Sequence, residues 1–259
     1  MPRVLVVYVY HESAGSKANL EFFNKYGLYQ TEDVTYILMI NGETCSVDLS
    51  PRWSKIQPRR NEGFDFVAWT EGLSLVNKDD YDYFIFLNDT VRGPFIDRHW
   101  IRTFTSMIDH ETKLAGISIN CHVKLYAHYH NRESVPHVQS MIWCTDQIGL
   151  DVVIPKILNT EMLDKDKTVI YKEIGLSLAI LDAGYNITCI LPKYQVDYRL
   201  PENQFINSNN GAFGDPQYPN GYFGRTLHPL ETIFFKANRH INDVALNEMT
   251  NIQSEMKFY

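Results

Sequence analysis

The chain has 259 residues, 44% of them hydrophobic, and a net charge of −7. That length fits one large α/β domain or two small ones, with enough apolar residues for a sizeable core. The acidic balance argues against sequence-independent nucleic-acid binding, which needs many phosphate-neutralising Lys and Arg; Pro58-Arg59-Arg60 is too short a basic run to change that.

Arg3–Tyr10 is a near-continuous β-branched and aromatic run, as in a strand buried on both faces. Ser16 is a plausible N-cap for a helix with Asn19, Phe22, Phe23 and Tyr26 on its spacing, stopped by Gly27. Val34–Ile40 reads as a second strand, and residues 43–60, with Pro51 and Pro58, as irregular. Phe66, Trp69, Leu73 and Val76 share a helical face within Asp65–Val76, and Tyr83–Leu87 is a further buried strand. Trp100, Ile101, Phe104, Met107 and Ile108 form the stripe of the next helix. Leu114–Asn120 and Ser140–Cys144 read as strands, Ile174, Leu178 and Leu181 as a helix ending near Gly184, and Ile187–Leu191 as a strand. Pro192–Arg225 loses all periodicity, and so long a loop is either functional or disordered. Leu230–Arg239 regains periodicity, and the last residues read as a solvated helix.

Alternating strands and helices over the first 190 residues predict one α/β domain, a mostly parallel central sheet flanked by helices. Ligands of such sheets sit at the carboxyl ends of the strands. No run of 18 apolar residues is present, so no membrane span is expected. Cys45, Cys121, Cys144 and Cys189 form no CxxC pair; they are read as reduced thiols, and the protein as cytoplasmic.

Five segments carry candidate chemistry. In DYDYFIFLNDTVRGP a buried strand runs into Asn88, Asp89 and Thr90; Asp89 suits a hard cation and Arg92 a diphosphate, although Asn-Asp followed by Gly-Pro is also ordinary turn chemistry. In RRNEGFDFVAW, Asn61 and Asp65 open a helix, where an anion or an N-cap is favoured. Glu173 sits in the first turn of its helix, off the apolar face; it is either a base facing a cleft or a complement to the helix dipole. In TLHPLETIFFKANR, His228 and Lys236 approach as a late basic block or form a Pro-started helix with a basic end. His137, Gln139, Ser140 and Trp143 surround a short strand and could hold a sugar ring, or Trp143 is simply core. No P-loop, dinucleotide fingerprint or nucleophile elbow occurs.

The order of these segments resembles that of GT-A glycosyltransferases. More narrowly, FLNDTVRGPF, RRNEGFDFVAW and HPLETIFFKANR resemble blocks of rhamnan-synthesis F-type proteins and of glycosyltransferases of large DNA viruses, over roughly residues 1–240. The resemblance implies a GT-A-like fold with a nucleotide-sugar pocket at the carboxyl edge of a central mixed sheet. Residues 1–120 would be the nucleotide-sugar half, 121–240 the acceptor and catalytic half, and 241–259 a tail. It implies transfer of a hexose or deoxyhexose from a nucleoside-diphosphate sugar, uridine diphosphate foremost, to a glycan or glycoprotein. Tyr8, Tyr10, His11, Arg60, Asn61, Asp65, Asn88, Asp89, Arg92 and Lys236 would bind the donor, with Mn²⁺ or Mg²⁺ on Asp89 and His228. The acceptor or its sugar would meet His137, Gln139, Ser140 and Trp143, and Glu173 would act beside the reacting carbon. A viral relative would work in the host cytoplasm. Two rivals stand beside this reading, a sugar nucleotidyltransferase and a non-catalytic carbohydrate-binding protein. Against the first, the loop His11–Lys17 carries one Gly, where a Gly-rich basic loop is expected.

Overall fold

The computed structural model describes residues 2–29, 31–97, 99–121 and 126–256. Its strands are β1 (Val4–Tyr10), β2 (Val34–Asn41), β3 (Lys55–Arg59), β4 (Tyr83–Asn88), β5 (Val91–Arg92), β6 (Thr112–Gly116), β7 (Ile119–Asn120), β8 (His137–Val138), β9 (Ile142–Asp146), β10 (Asn186–Cys189) and β11 (Phe235–Lys236). The helices are α1 (Ala14–Tyr26), α2 (Phe64–Ser74), α3 (Trp100–Thr105), α4 (Gln147–Val153), α5 (Lys165–Lys167), α6 (Gly175–Asp182), α7 (Pro229–Thr232) and α8 (Asp243–Glu255). A π-helical segment, Thr168–Ile174, joins α5 to α6.

Seven strands form one sheet in the order β10-β6-β9-β4-β1-β2-β3. Neighbours are parallel except at β9, which runs antiparallel to both β4 and β6. The sheet is therefore mixed but mostly parallel, as expected. Every residue of β1 is buried, because helices cover both faces. Alternate residues go to opposite cores. Leu5, Val7 and Val9 join α2, α4 and α6 on one side; Val4, Val6 and Tyr8 join α1 and α3 on the other.

Several elements differ from the sequence reading. Ser13, not Ser16, caps α1, its side chain accepting from Ser16 N at 3.2 Å. The stretch 43–60 contains β3, an exposed edge strand with no apolar alternation; Pro58 is tolerated there because the strand has one neighbour. The run 114–120 divides into β6 and β7, and β7 leaves the main sheet to pair with β8. Leu230–Arg239 is one short helical turn followed by β11 rather than a helix. In the C-terminal tail, α8 packs Leu246 and Met249 into the core instead of lying free in solvent; residues 257–259 lie outside the described set.

Trp143 is fully buried, stacked on Phe86 at 4.3 Å between ring centroids and edge-on to Trp69 at 5.8 Å. It is core, not a sugar platform. Trp143→Ala should cost about 3–5 kcal/mol through lost burial and the cavity left behind. Urea unfolding checks this, and a loss below about 1 kcal/mol would show that the site collapses around the gap. None of the four cysteines is disulfide-bonded. Among the described residues no helix is long and apolar enough to cross a membrane.

Candidate functional site

Because six of the seven strands of the main sheet run the same way, the ends of β1, β2, β3 and β4 share one edge. The start of antiparallel β9 reaches the same edge. The polar segments singled out in the sequence meet there.

β4 ends on Asn88, 6% exposed, which organises the turn after it. Its Oδ1 accepts from Thr90 N at 3.1 Å and Thr90 Oγ1 at 2.6 Å, and its amide donates to Asp65 Oδ2 at 2.8 Å. Asp65 thus faces the sheet edge from the first turn of α2 rather than capping it; the N-cap is Gly63. Asp89 accepts the His11 N–H on Oδ2 at 2.5 Å, and its own N–H donates to Val9 O at 3.1 Å. His11 Nδ1 lies 2.6 Å from Asn41 O, and Asn61 Nδ2 lies 3.4 Å from the same ring nitrogen. Burial is the largest influence on both carboxyls. It lifts Asp65 to about 6 against the pull of its Asn88 hydrogen bond, and Asp89 to about 7 against that of the His11 N–H.

The C-terminal block docks on this turn. β11 pairs antiparallel with β5, Lys236 opposite Val91, and Ala237 N donates to Thr90 O at 2.9 Å. Gly93 makes the approach possible, since a Cβ there would come within 2.6 Å of Ile233 O. Lys236 Nζ donates to Thr90 Oγ1 at 3.3 Å. Burial first, then the Arg239 charge, lowers its pKa to about 8, opposed by Glu173, Asp215 and Asp65.

Next to this cluster is a cavity of about 290 Å³, its lining including His137, Gln139, Glu173, Asp215, Tyr218 and Arg239. Glu173 stands in the π-helical segment, a distortion frequent at functional sites. One carboxylate oxygen accepts Ser140 N at 3.0 Å, which ties the segment to the start of β9. Val138 N donates to Ser177 Oγ at 2.9 Å and anchors the next turn. Asp215, 3% exposed, comes from the long loop. It accepts from Gln139 Nε2 at 2.9 Å, from Gln217 N at 2.7 Å and from Arg239 Nη1. Arg239 also lies over the Tyr218 ring at 4.5 Å. His137 is buried and directs Nδ1 to Val135 O at 2.8 Å.

His11, Asn61, Asp65, Asn88, Asp89 and Lys236 therefore form one group, and Glu173, His137, Gln139 and Ser140 a second. Electrostatic coupling of Glu173 to Asp65 and Lys236 links them. Arg60 is exposed on a neighbouring groove that also includes Gly42, Glu43 and Asn61. The remaining candidates are placed elsewhere. Tyr8 and Tyr10 are core side chains, 1% and 0% exposed, and the Tyr10 hydroxyl is tied to Glu12 at 3.0 Å. Arg92 turns inward, donating to Asn19 Oδ1 at 2.9 Å and Thr250 Oγ1 at 3.3 Å, so it clamps α8 to α1. His228 caps α7: its Nδ1 accepts from Leu230 N at 3.3 Å, and its own N–H donates to Glu231 at 2.9 Å. Among the described residues no group of three or more His, Cys, Asp or Glu is arranged to hold a metal. Asp215 escaped the sequence reading; the only signal was the unexplained loop that carries it.

No curated protein matches the chain. Among solved structures it is similar to a mannosyltransferase, PcManGT, from Pyrobaculum calidifontis in complex with GDP-Man and Mn²⁺ (11% identity, 99% of this chain and 76% of that one, TM-score 0.48). It is similar to glucosyl-3-phosphoglycerate synthase from Mycobacterium tuberculosis in complex with Mn²⁺, UDP and phosphoglyceric acid (12%, 73% and 68%, TM-score 0.46). A cytidylyltransferase from Leptospira borgpetersenii matches at 11% identity over 73% of this chain and 76% of that one, TM-score 0.41. Likenesses this distant do not choose between sugar transfer and nucleotidyl transfer. Residues 47–220 match the family described as rhamnan synthesis protein F, well over half of the sequence, and the chain belongs to that family.

Proposed function

We propose that this protein is a glycosyltransferase of the GT-A type, moving a hexose or deoxyhexose from a nucleoside-diphosphate sugar to a glycan or glycoprotein acceptor. The observation that carries the reading is a carboxylate, Glu173, lining a sugar-sized cavity and coupled electrostatically to a half-buried ammonium, Lys236, at the carboxyl edge of the sheet. Membership of a family named for rhamnan synthesis supports a deoxyhexose donor. Uridine or thymidine diphosphate is the expected carrier.

In this reading residues 1–120 supply the base and ribose side, through His11, Asn41, Arg60 and Asn61. Residues 121–240 supply the cavity for the acceptor and the reacting sugar. Phe213 and Tyr218, 74% and 41% exposed, offer apolar faces for a ring near the polar floor of Gln139 and Asp215. Glu173 takes the proton of an acceptor hydroxyl as that oxygen attacks the anomeric carbon. The bond from the anomeric carbon to the diphosphate oxygen breaks with its electron pair leaving on the diphosphate. Charge therefore grows on that oxygen, where fixed positive groups act most strongly in a desolvated site.

Thermal melting of the purified protein against nucleoside diphosphates, nucleoside triphosphates and nucleotide sugars tests this. A ligand that binds only the folded state adds about 2.7 kcal/mol of stability at 100 times its Kd. The melting point should rise with one nucleoside diphosphate and its sugar. A rise with triphosphates alone would favour nucleotidyl transfer, and a rise with free glycans alone a binding protein.

A further inference from the structure

The metal expected from the family resemblance does not fit the side chains present. Its two proposed ligands are engaged separately: Asp89 receives the His11 N–H, and His228 caps its own helix through Nδ1. A cation of the chain itself already acts on Asp65 and Asp89. Lys236 is held by β11 beside the Asn88–Thr90 turn, and it acts electrostatically on Asp65, Asp89, Glu173 and Asp215. Arg239 neutralises Asp215 by direct contact. Lys236 has no such partner: among the described residues no carboxylate oxygen lies within 4 Å of Nζ, and its one hydrogen bond is the 3.3 Å contact to Thr90. An ammonium has three donors, and on this half-buried side chain most of them are unengaged by the protein, which leaves them free to meet an anion.

We propose that Lys236 is the resident cation of the donor site, receiving the diphosphate in place of a divalent metal ion. The inference rests on the donor-site reading above. It assigns the positive charge that meets the leaving group to the chain itself, with Thr90 Oγ1 orienting the ammonium and β5–β11 pairing fixing its position. Loading of the donor then needs no free divalent ion.

The test is calorimetric titration of UDP, TDP and GDP into the wild-type protein, in EDTA and in Mn²⁺, repeated for Lys236→Met and Lys236→Arg. For the nucleotide that binds, the wild-type Kd should differ by less than about threefold between the two conditions. Lys236→Met should weaken binding about 10–100-fold, the range for a hydrogen bond to a charged group, and Mn²⁺ should not restore it. Lys236→Arg, which keeps the charge, should recover part of the loss and guards against a folding defect in the Met variant. Wild-type binding that appears only with Mn²⁺ overturns the inference and leaves the donor site standing. Unchanged binding by Lys236→Met overturns it as well. No binding of any nucleotide in either condition removes the donor-site reading and the inference together.

Discussion

Glu173→Gln is expected to lower glycosyl transfer by about 10²–10⁴-fold while nucleotide affinity stays within about threefold of wild type. The magnitude is that of a positioned general base. The substitution keeps size and the Ser140 N–H hydrogen bond, since a Gln carbonyl oxygen accepts as the carboxylate does. It removes the negative charge and with it the ability to take a proton. The cavity and the π-helical segment should therefore survive, and the loss should fall on kcat rather than KM. Initial rates of nucleoside diphosphate release at saturating donor, with titration of the nucleotide in parallel, separate the two. Equal losses in rate and nucleotide affinity would mean that Glu173 shapes the pocket instead of acting on the acceptor.

Asp89→Asn is expected to raise the melting temperature by roughly 9–18 °C at pH 8, with the gain shrinking to nearly nothing at pH 4. Burial, reinforced by the nearby Asp65 charge, holds the Asp89 carboxyl at about 7 in the folded protein, against an ordinary value of 3.8. Below about pH 4 the group is protonated whether the chain is folded or not, and it has no effect on stability. Between pH 4 and 7 the unfolded chain gives up that proton and the folded one keeps it, so stability falls as pH rises. The fall is up to about 1.4 kcal/mol per pH unit, and it is complete above pH 7. Asp65, at about 6, acts in the same direction over a narrower window. Lys236, held near 8, has its own window above that and does not disturb the comparison. A chain of this size shifts its melting point by roughly 2–4 °C per kcal/mol. Calorimetric melting of wild type and variant from pH 4 to 8 checks the slope. A pH-independent difference would mean that Asp89 is ionised throughout. Carboxylates that destabilise the fold are what a site kept for a ligand looks like.

The sheet was legible in the sequence wherever both faces are covered. Val4–Tyr10 and Tyr83–Asn88 lie under helices on each side, so their apolar runs have no gaps. β3 was not legible, because an exposed edge strand has no core face to impose alternation. Nor was the reversal of β9: orientation is set by which neighbour a strand meets, and the residues of Ile142–Asp146 carry no mark of it. Among site residues, Asn88, Asp89 and Lys236 could be found because they follow or form strands at the sheet edge. Asp215 could not, since its partners Gln139 and Arg239 are 76 and 24 residues away and its own loop has no period. Tyr8, Tyr10 and Trp143 were ambiguous for a different reason. An aromatic side chain has the same signature whether it faces a ligand or a core, and here the burial of the sheet decides for the core.

The central claim, that the carboxyl edge of this sheet transfers a sugar, is tested most directly by turnover. The purified chain would be incubated with uridine, thymidine and guanosine diphosphate sugars plus glycan acceptors, and the release of nucleoside diphosphate measured beside Glu173→Gln. Release from one donor, dependent on acceptor and lost in the variant, is the predicted result. No release from any donor, or equal release by wild type and variant, would contradict it.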